Sequence, residues 1–204
     1  MYKRQGPQTV GVPAPRPLRR DAERNRERIL TAARELFVEH GLSVGVDEIA
    51  RRAGVGMGTL YRRFPKRSDL VAGVFRREVD ACAAEAASLA AQYPPGDALA
   101  RWLKRYSAFL ATKKGLAAAL HSGDPAFDAL PHYFRASFEP GLTALLDAAV
   151  SAGEARGAIE PYDLLRAIGN LSVAAGDDGA AHTQRMLDLL IDGLRYGARA
   201  PRSD

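Results

Sequence analysis

VDEIARRAGVGMGTLYRRFP, residues Val46 to Pro65, is the stretch whose reading decides the fold. Ala50 is small, Gly54 follows four residues later, and Leu60 lies six beyond that. Two short helices can cross closely over a small residue, and glycine supplies the turn between them. Ile49, Ala53, Val55 and Phe64 lock the second helix onto the first. With Leu60 and Phe64 inward at i and i+4, the opposite face carries Met57, Thr59, Arg62 and Arg63, with Tyr61 at its edge. That set suits a helix lying in the major groove of DNA. Hydroxyl and phenol groups bond phosphate oxygens, and arginine reaches phosphate or reads guanine with two hydrogen bonds. Spacing alone also fits an ordinary helical hairpin with a solvated arginine pair.

Working outward, the pattern before this stretch is helical from Arg19. Ile29, Ala32, Ala33, Leu36 and Phe37 recur at steps of three and four, with charged residues opposite and Gly41 as the C-terminal cap. Pro65 stops the chain after the short third helix, and Ser68 offers an N-cap for a fourth helix reaching Gln92. Asp97 can cap a fifth, and a short helical piece spans Lys114 to His121. Helices over Pro131 to Ala152, Pro161 to Ala175 and Ala180 to Ala198 complete an all-α chain of about nine helices. Pro140-Gly141 is expected to kink or split the first of these.

Composition narrows the classes. The chain has 204 residues, is 47% hydrophobic and carries a net charge of +5. Residues 1–70 hold 15 of the basic and 8 of the acidic residues, a net +7, and the remainder is −2. A basic first third implies an anionic partner there. No apolar run approaches the roughly 20 residues of a membrane helix. The start lacks the apolar core of a signal peptide, which points to the cytoplasm. The single Cys82 excludes an internal disulfide. Residues 1–18, with four prolines and two glycines, read as a disordered basic arm.

The quoted motifs carry a resemblance. RERILTAARELFVEHG (Arg26 to Gly41) and VDEIARRAGVGMGTLYRRFPKRSDL (Val46 to Leu70) resemble the N-terminal domain of the TetR/AcrR family of transcriptional regulators. The likeness runs from Arg19 to Val71 and fades after about Val79. It implies a three-helix helix-turn-helix domain over residues 19–70 and a helical ligand-binding and dimerisation domain over 71–204. It further implies that Met57 and Thr59 face DNA, Tyr61 holds a phosphate, and Arg62 and Arg63 touch bases or backbone. Lys66 is similar to a phosphate-binding lysine, and Arg24 and Arg28 are placed to reach the flanking backbone. Gly45 stands where the family commonly has Thr or Ser, so one phosphate contact is missing. Met57 stands where a lysine is common.

Downstream, Trp102, Tyr106, Phe109, Phe127, Phe134 and Phe138 are the candidate lining of an effector pocket for a small apolar or aromatic molecule. Thr112, His121, Asp124 and His132 are the candidate polar groups, and Pro140-Gly141 is expected to open a gap between helices. A solid aromatic core is the other reading of the same residues. Leu164, Leu165, Ile168, Leu171 and Ala175, with Met186, Leu187, Leu190, Ile191 and Leu194, form two stripes expected to build a homodimer interface. A two-fold dimer matches a near-palindromic double-stranded operator. The expected function is a repressor released from DNA by its effector. Four scattered histidines and one cysteine give no catalytic or metal-ligand spacing, so no enzyme, cofactor or metal is expected.

Overall fold

The computed structural model of the protein describes residues 16–111, 123–172 and 179–196. Of the arm expected over residues 1–18, residues 1–15 lie outside the described residues, as does the helical piece expected over Lys114 to His121, while residues 16–18 already belong to the first helix. Eight α-helices and one 3₁₀ turn are described, with no strand among them. They are α1 (Arg16–His40), α2 (Val46–Ala53), α3 (Met57–Arg63), α4 (Arg67–Gln92), α5 (Pro95–Ala111), the 3₁₀ turn Pro125–Phe127, α6 (Leu130–Ser151), α7 (Pro161–Leu171) and α8 (Gly179–Tyr196). None of them is long and apolar enough to cross a membrane.

The head is built from α1, α2 and α3 around small aliphatic residues. Ile29, Leu30, Ala33, Leu36, Ile49, Ala50, Ala53 and Leu60 are buried together with Phe64. Two left-handed glycines end its helices: Gly41 (φ 76) after α1 and Gly54 (φ 63) after α2. A side chain rarely tolerates that conformation. Gly45 caps α2 without a side-chain bond, and Asp47 and Glu48 in the first turn face the positive end of the helix dipole instead.

The structure moves two caps: α5 begins at Pro95, so Asp97 lies in its first turn rather than before it. Helix α4 begins at Arg67, so Ser68 lies inside its first turn rather than before it. Lys66 occupies the cap position, and its backbone N–H donates to Asp69 Oδ2 at 2.9 Å. An acidic residue three positions after the cap thus replaces the serine hydroxyl.

Helix α4 is shared between two cores. Leu70 and Val74 belong to the head, while Val79, Cys82 and Ala86 belong to the larger core of the body. Between them Val71, Ala72 and Phe75 pack against Phe127 and Leu130, with Phe37, Leu42 and Phe134 alongside. The 3₁₀ turn therefore wedges onto α4 where head meets body. Arg34–Glu78 (2.6 Å) and Arg77–Glu27 (3.2 Å) ion pairs, and the Arg77 bond to Thr31 Oγ1 (2.7 Å), fasten α4 to α1.

In the body, α6 runs unbroken through Pro140. Gly141 does not open a gap there. It lets α6 lie against α4, where an added Cβ would sit 3.0 Å from the Ala86 methyl. Cys82 is fully buried, and burial pushes its thiol up to about 11, which removes the thiolate that redox chemistry needs. Leu164, Leu165, Ile168, Leu187, Ile191 and Leu194 are buried in the protomer's own core. Both stripes expected at a dimer interface thus spend most of their apolar surface inside one chain. The outward face of α8 is a different stripe: His182, Arg185, Leu189, Gly193 and Tyr196 are all exposed, Leu189 by 64% and Tyr196 by 87%.

Candidate nucleic-acid interface and effector region

Helix α3 is seven residues long and is held by its two large apolar residues. Leu60 is 1% and Phe64 6% exposed, in the cluster they share with residues of α1, α2 and α4. This fixes which way the rest of the helix faces. Met57 is 38% and Tyr61 48% exposed, Arg62 and Arg63 are exposed, and Thr59 is half-buried. The turn before α3 is braced by Arg28, whose guanidinium donates to the Gly54 carbonyl at 3.2 Å. Arg28 therefore already holds the first helix to the turn. Arg63 is paired with Glu23 on α1 at 3.4 Å, and Arg24 lies beside Asp21 at 3.7 Å. Arg62 has no ion-pair partner among the described residues. The eight sequence candidates Arg24, Arg28, Met57, Thr59, Tyr61, Arg62, Arg63 and Lys66 thus lie on α1, α3 and the cap of α4.

The surroundings of this face set its electrostatics. Arg52 is bonded to Glu39 (3.1 Å) and lies near Glu35 (3.6 Å), binding α2 to α1. The Arg52 hydrogen bond holds the Glu39 carboxyl below its usual range, and Glu39 raises Arg52 in return. Beside Lys66, the Asp124 carboxylate accepts from the Ala126 N–H at 2.9 Å. That backbone bond, then a Ser68 hydrogen bond and the Lys66 charge, keep Asp124 low. Asp124, expected near an effector, instead ties the 3₁₀ turn to the start of α4. Arg67, which sequence reasoning passed over, donates to the Leu42 carbonyl and anchors the same corner.

The aromatic candidates separate into three settings. Trp102, Tyr106, Phe109 and Phe138 are buried and stack on one another, with ring centroids 5.0 to 6.4 Å apart. Trp102 also donates Nε1–H to the Cys82 carbonyl at 3.2 Å. Phe127 is 6% exposed in the junction between head and body. Tyr106, Phe134 and Phe138 border a cleft of about 280 Å³ between α6 and α7. The remaining lining includes Arg135, Tyr162, Arg166 and Asn170, none of which the sequence singled out. Of the polar candidates, His132 is exposed, and Thr112 and His121 lie outside the described residues.

Comparison with known proteins fits this architecture. Residues 29–74 match the model of bacterial regulatory proteins of the tetR family. Residues 94–196 match the C-terminal domain of SbtR-like transcriptional regulators, a TetR-type model. An HTH-type transcriptional regulator of Staphylococcus aureus is 45% identical over 64 residues, which is 31% of this chain and 35% of that protein's length. The structure of a TetR transcriptional regulator from Streptomyces coelicolor is 39% identical, covers 83% of this chain and 98% of its own, and has a TM-score of 0.68. A TetR regulator from Mycobacterium vanbaalenii is 38% identical over 88% of this chain and 99% of its own, with a TM-score of 0.67. The chain is therefore a member of the TetR family of helix-turn-helix transcriptional regulators.

Proposed function

We propose that the chain is a repressor that binds a near-palindromic double-stranded operator as a homodimer and leaves it when a small aromatic effector binds the body. The observation that carries this reading is the outward face of α3. Tyr61, Arg62 and Arg63 stand exposed on a helix whose orientation is fixed by buried Leu60 and Phe64. In this reading Tyr61 and Lys66 hold phosphates, with Arg24 and Arg28 on the flanking backbone. Met57, Thr59, Arg62 and Arg63 face base edges. Met57 suits a thymine methyl rather than a phosphate.

The dimer forms through the last two helices, centred on Leu189, Gly193 and Tyr196 of α8. Two large exposed apolar side chains around a glycine that meets nothing within 4 Å support a close helix crossing. The sharing of α4 between two cores supports the switch. A change in the body's packing turns α4, and the two recognition helices lose their one-turn spacing. Such a regulator works in the cytoplasm.

Selection of bound duplexes from a random pool tests the reading. An inverted repeat with half-site centres about one helical turn apart is expected. Recovery of no enriched sequence contradicts it.

A further inference from the structure

The cleft between α6 and α7 combines apolar walls, a tyrosine and a basic rim. Tyr106 is 8% exposed and lines it. Its hydroxyl bonds no protein group among the described residues, and no fully buried side-chain N or O atom there lacks a partner, so this donor is one that solvent in the cleft reaches. Burial pushes the Tyr106 phenol above its ordinary range, so it remains a hydrogen-bond donor at neutral pH. Phe134 and Phe138 supply flat apolar walls beside it.

The mouth of the cleft is cationic. The Arg135 guanidinium lies 4.2 Å from the Tyr162 ring centroid and that of Arg166 5.9 Å from the same ring. Arg135 is neutralised by Glu139 at 2.7 Å. Arg166 has no carboxylate partner among the described residues, and it is exposed at the rim. Asn170, one turn further on α7, offers an amide to the same opening.

We propose that this cleft binds an aromatic carboxylate, with the ring against Phe134 and Phe138, a ligand oxygen accepting from the Tyr106 hydroxyl, and the carboxylate on Arg166. The site rests on the regulator reading only for its consequence on DNA. At about 280 Å³ it takes a ligand of one or two rings. Gly169 forms part of the wall, and a Cβ there meets nothing within 4 Å, so the space is open to the ligand at that point. Phe134 also packs against the Phe127 cluster on α4, which brings a ligand in the cleft next to the junction with the head.

Calorimetric titration of the full chain with benzoate and 2-naphthoate, against benzamide and 2-naphthamide, tests the assignment. The carboxylates are expected to bind about tenfold more tightly than the amides, the range of a charge-assisted hydrogen bond. Arg166→Gln should remove that preference while leaving amide binding unchanged. Tyr106→Phe should weaken both classes about threefold to tenfold. Gly169→Leu should block binding by filling the cleft, with the melting temperature retained. Equal affinity for carboxylate and amide, unaltered preference in Arg166→Gln, or no binding at millimolar concentration would overturn it. Fluorescence anisotropy on a selected duplex, run in parallel, separates the two claims. Naphthoate bound with the duplex retained supports the site and removes effector release. A protein that binds naphthoate but no duplex supports the site and removes the regulator reading.

Discussion

Head and body bury their helices with different materials. The head packs alanines and aliphatic residues, with Phe64 as the one aromatic among its fully buried members. Small residues let the two short helices α2 and α3 approach α1 closely, and this leaves little side chain to rearrange. Its charges are mostly committed: Arg52 to Glu39, Arg34 to Glu78, Arg63 to Glu23. The body packs Trp102, Tyr106, Phe109 and Phe138 ring on ring. Large rings fill volume with few residues, and where helices diverge they leave a cleft. A rigid head that presents a fixed face, joined by a shared helix to a body with adjustable space, suits a switch in which the body moves and the head is moved.

The largest test of this contrast is Trp102→Ala. Trp102 is fully buried, stacks on Tyr106 at 5.6 Å and donates a hydrogen bond. The loss should be about 3–5 kcal/mol in denaturant unfolding. A loss under about 1 kcal/mol would mean the aromatic block is not the body's core. Next is Leu189→Asp on the outward face of α8. Two protomers of 22.0 kDa should scatter as a dimer, and the variant should lose roughly 2 kcal/mol or more of association. Wild-type protein that scatters as a monomer at micromolar concentration would remove the proposed interface.

A smaller effect is expected for Gly54→Ala. The glycine sits at φ 63, where an alanine costs about 1–2 kcal/mol. A thermal melt reads the change, and an unaltered midpoint would show that the turn relaxes. The smallest belongs to Arg52→Ala. Its ion pairs are exposed, so the melting temperature should stay within error at physiological salt. A clear drop would show that the head depends on its charges rather than on its alanines.

The contrast also explains what could be read in advance. Helix α2 spans Val46–Ala53, as its pattern indicates, because Ala50, Gly54 and Leu60 act over a few residues. The cap of α4 is ambiguous in sequence because Ser68 and Asp69 are both capping residues, and in the structure Asp69 reaches back to the Lys66 N–H. On α8 the denser apolar stripe predicts an outer face, and the structure turns Leu187, Ile191 and Leu194 of it inward. Amphipathic spacing says that a face is buried, not against which chain. The aromatic side of the cleft, Tyr106, Phe134 and Phe138, is legible as candidate pocket lining, but its polar rim is not, for a similar reason. Tyr106, Arg135 and Arg166 come from three helices, and Arg135 reads in sequence as an ordinary i,i+4 partner of Glu139.

The central claim is that the outward face of α3 and the cap of α4 read DNA. Its most direct measurement is fluorescence anisotropy at fixed salt on a selected duplex and a scrambled one. Tyr61→Phe and Lys66→Ala should weaken binding to both duplexes by the same factor. Arg62→Ala and Arg63→Ala should weaken the selected duplex further, by about 1–3 kcal/mol for a lost base contact. Wild-type affinity for both duplexes in all four variants would contradict the account.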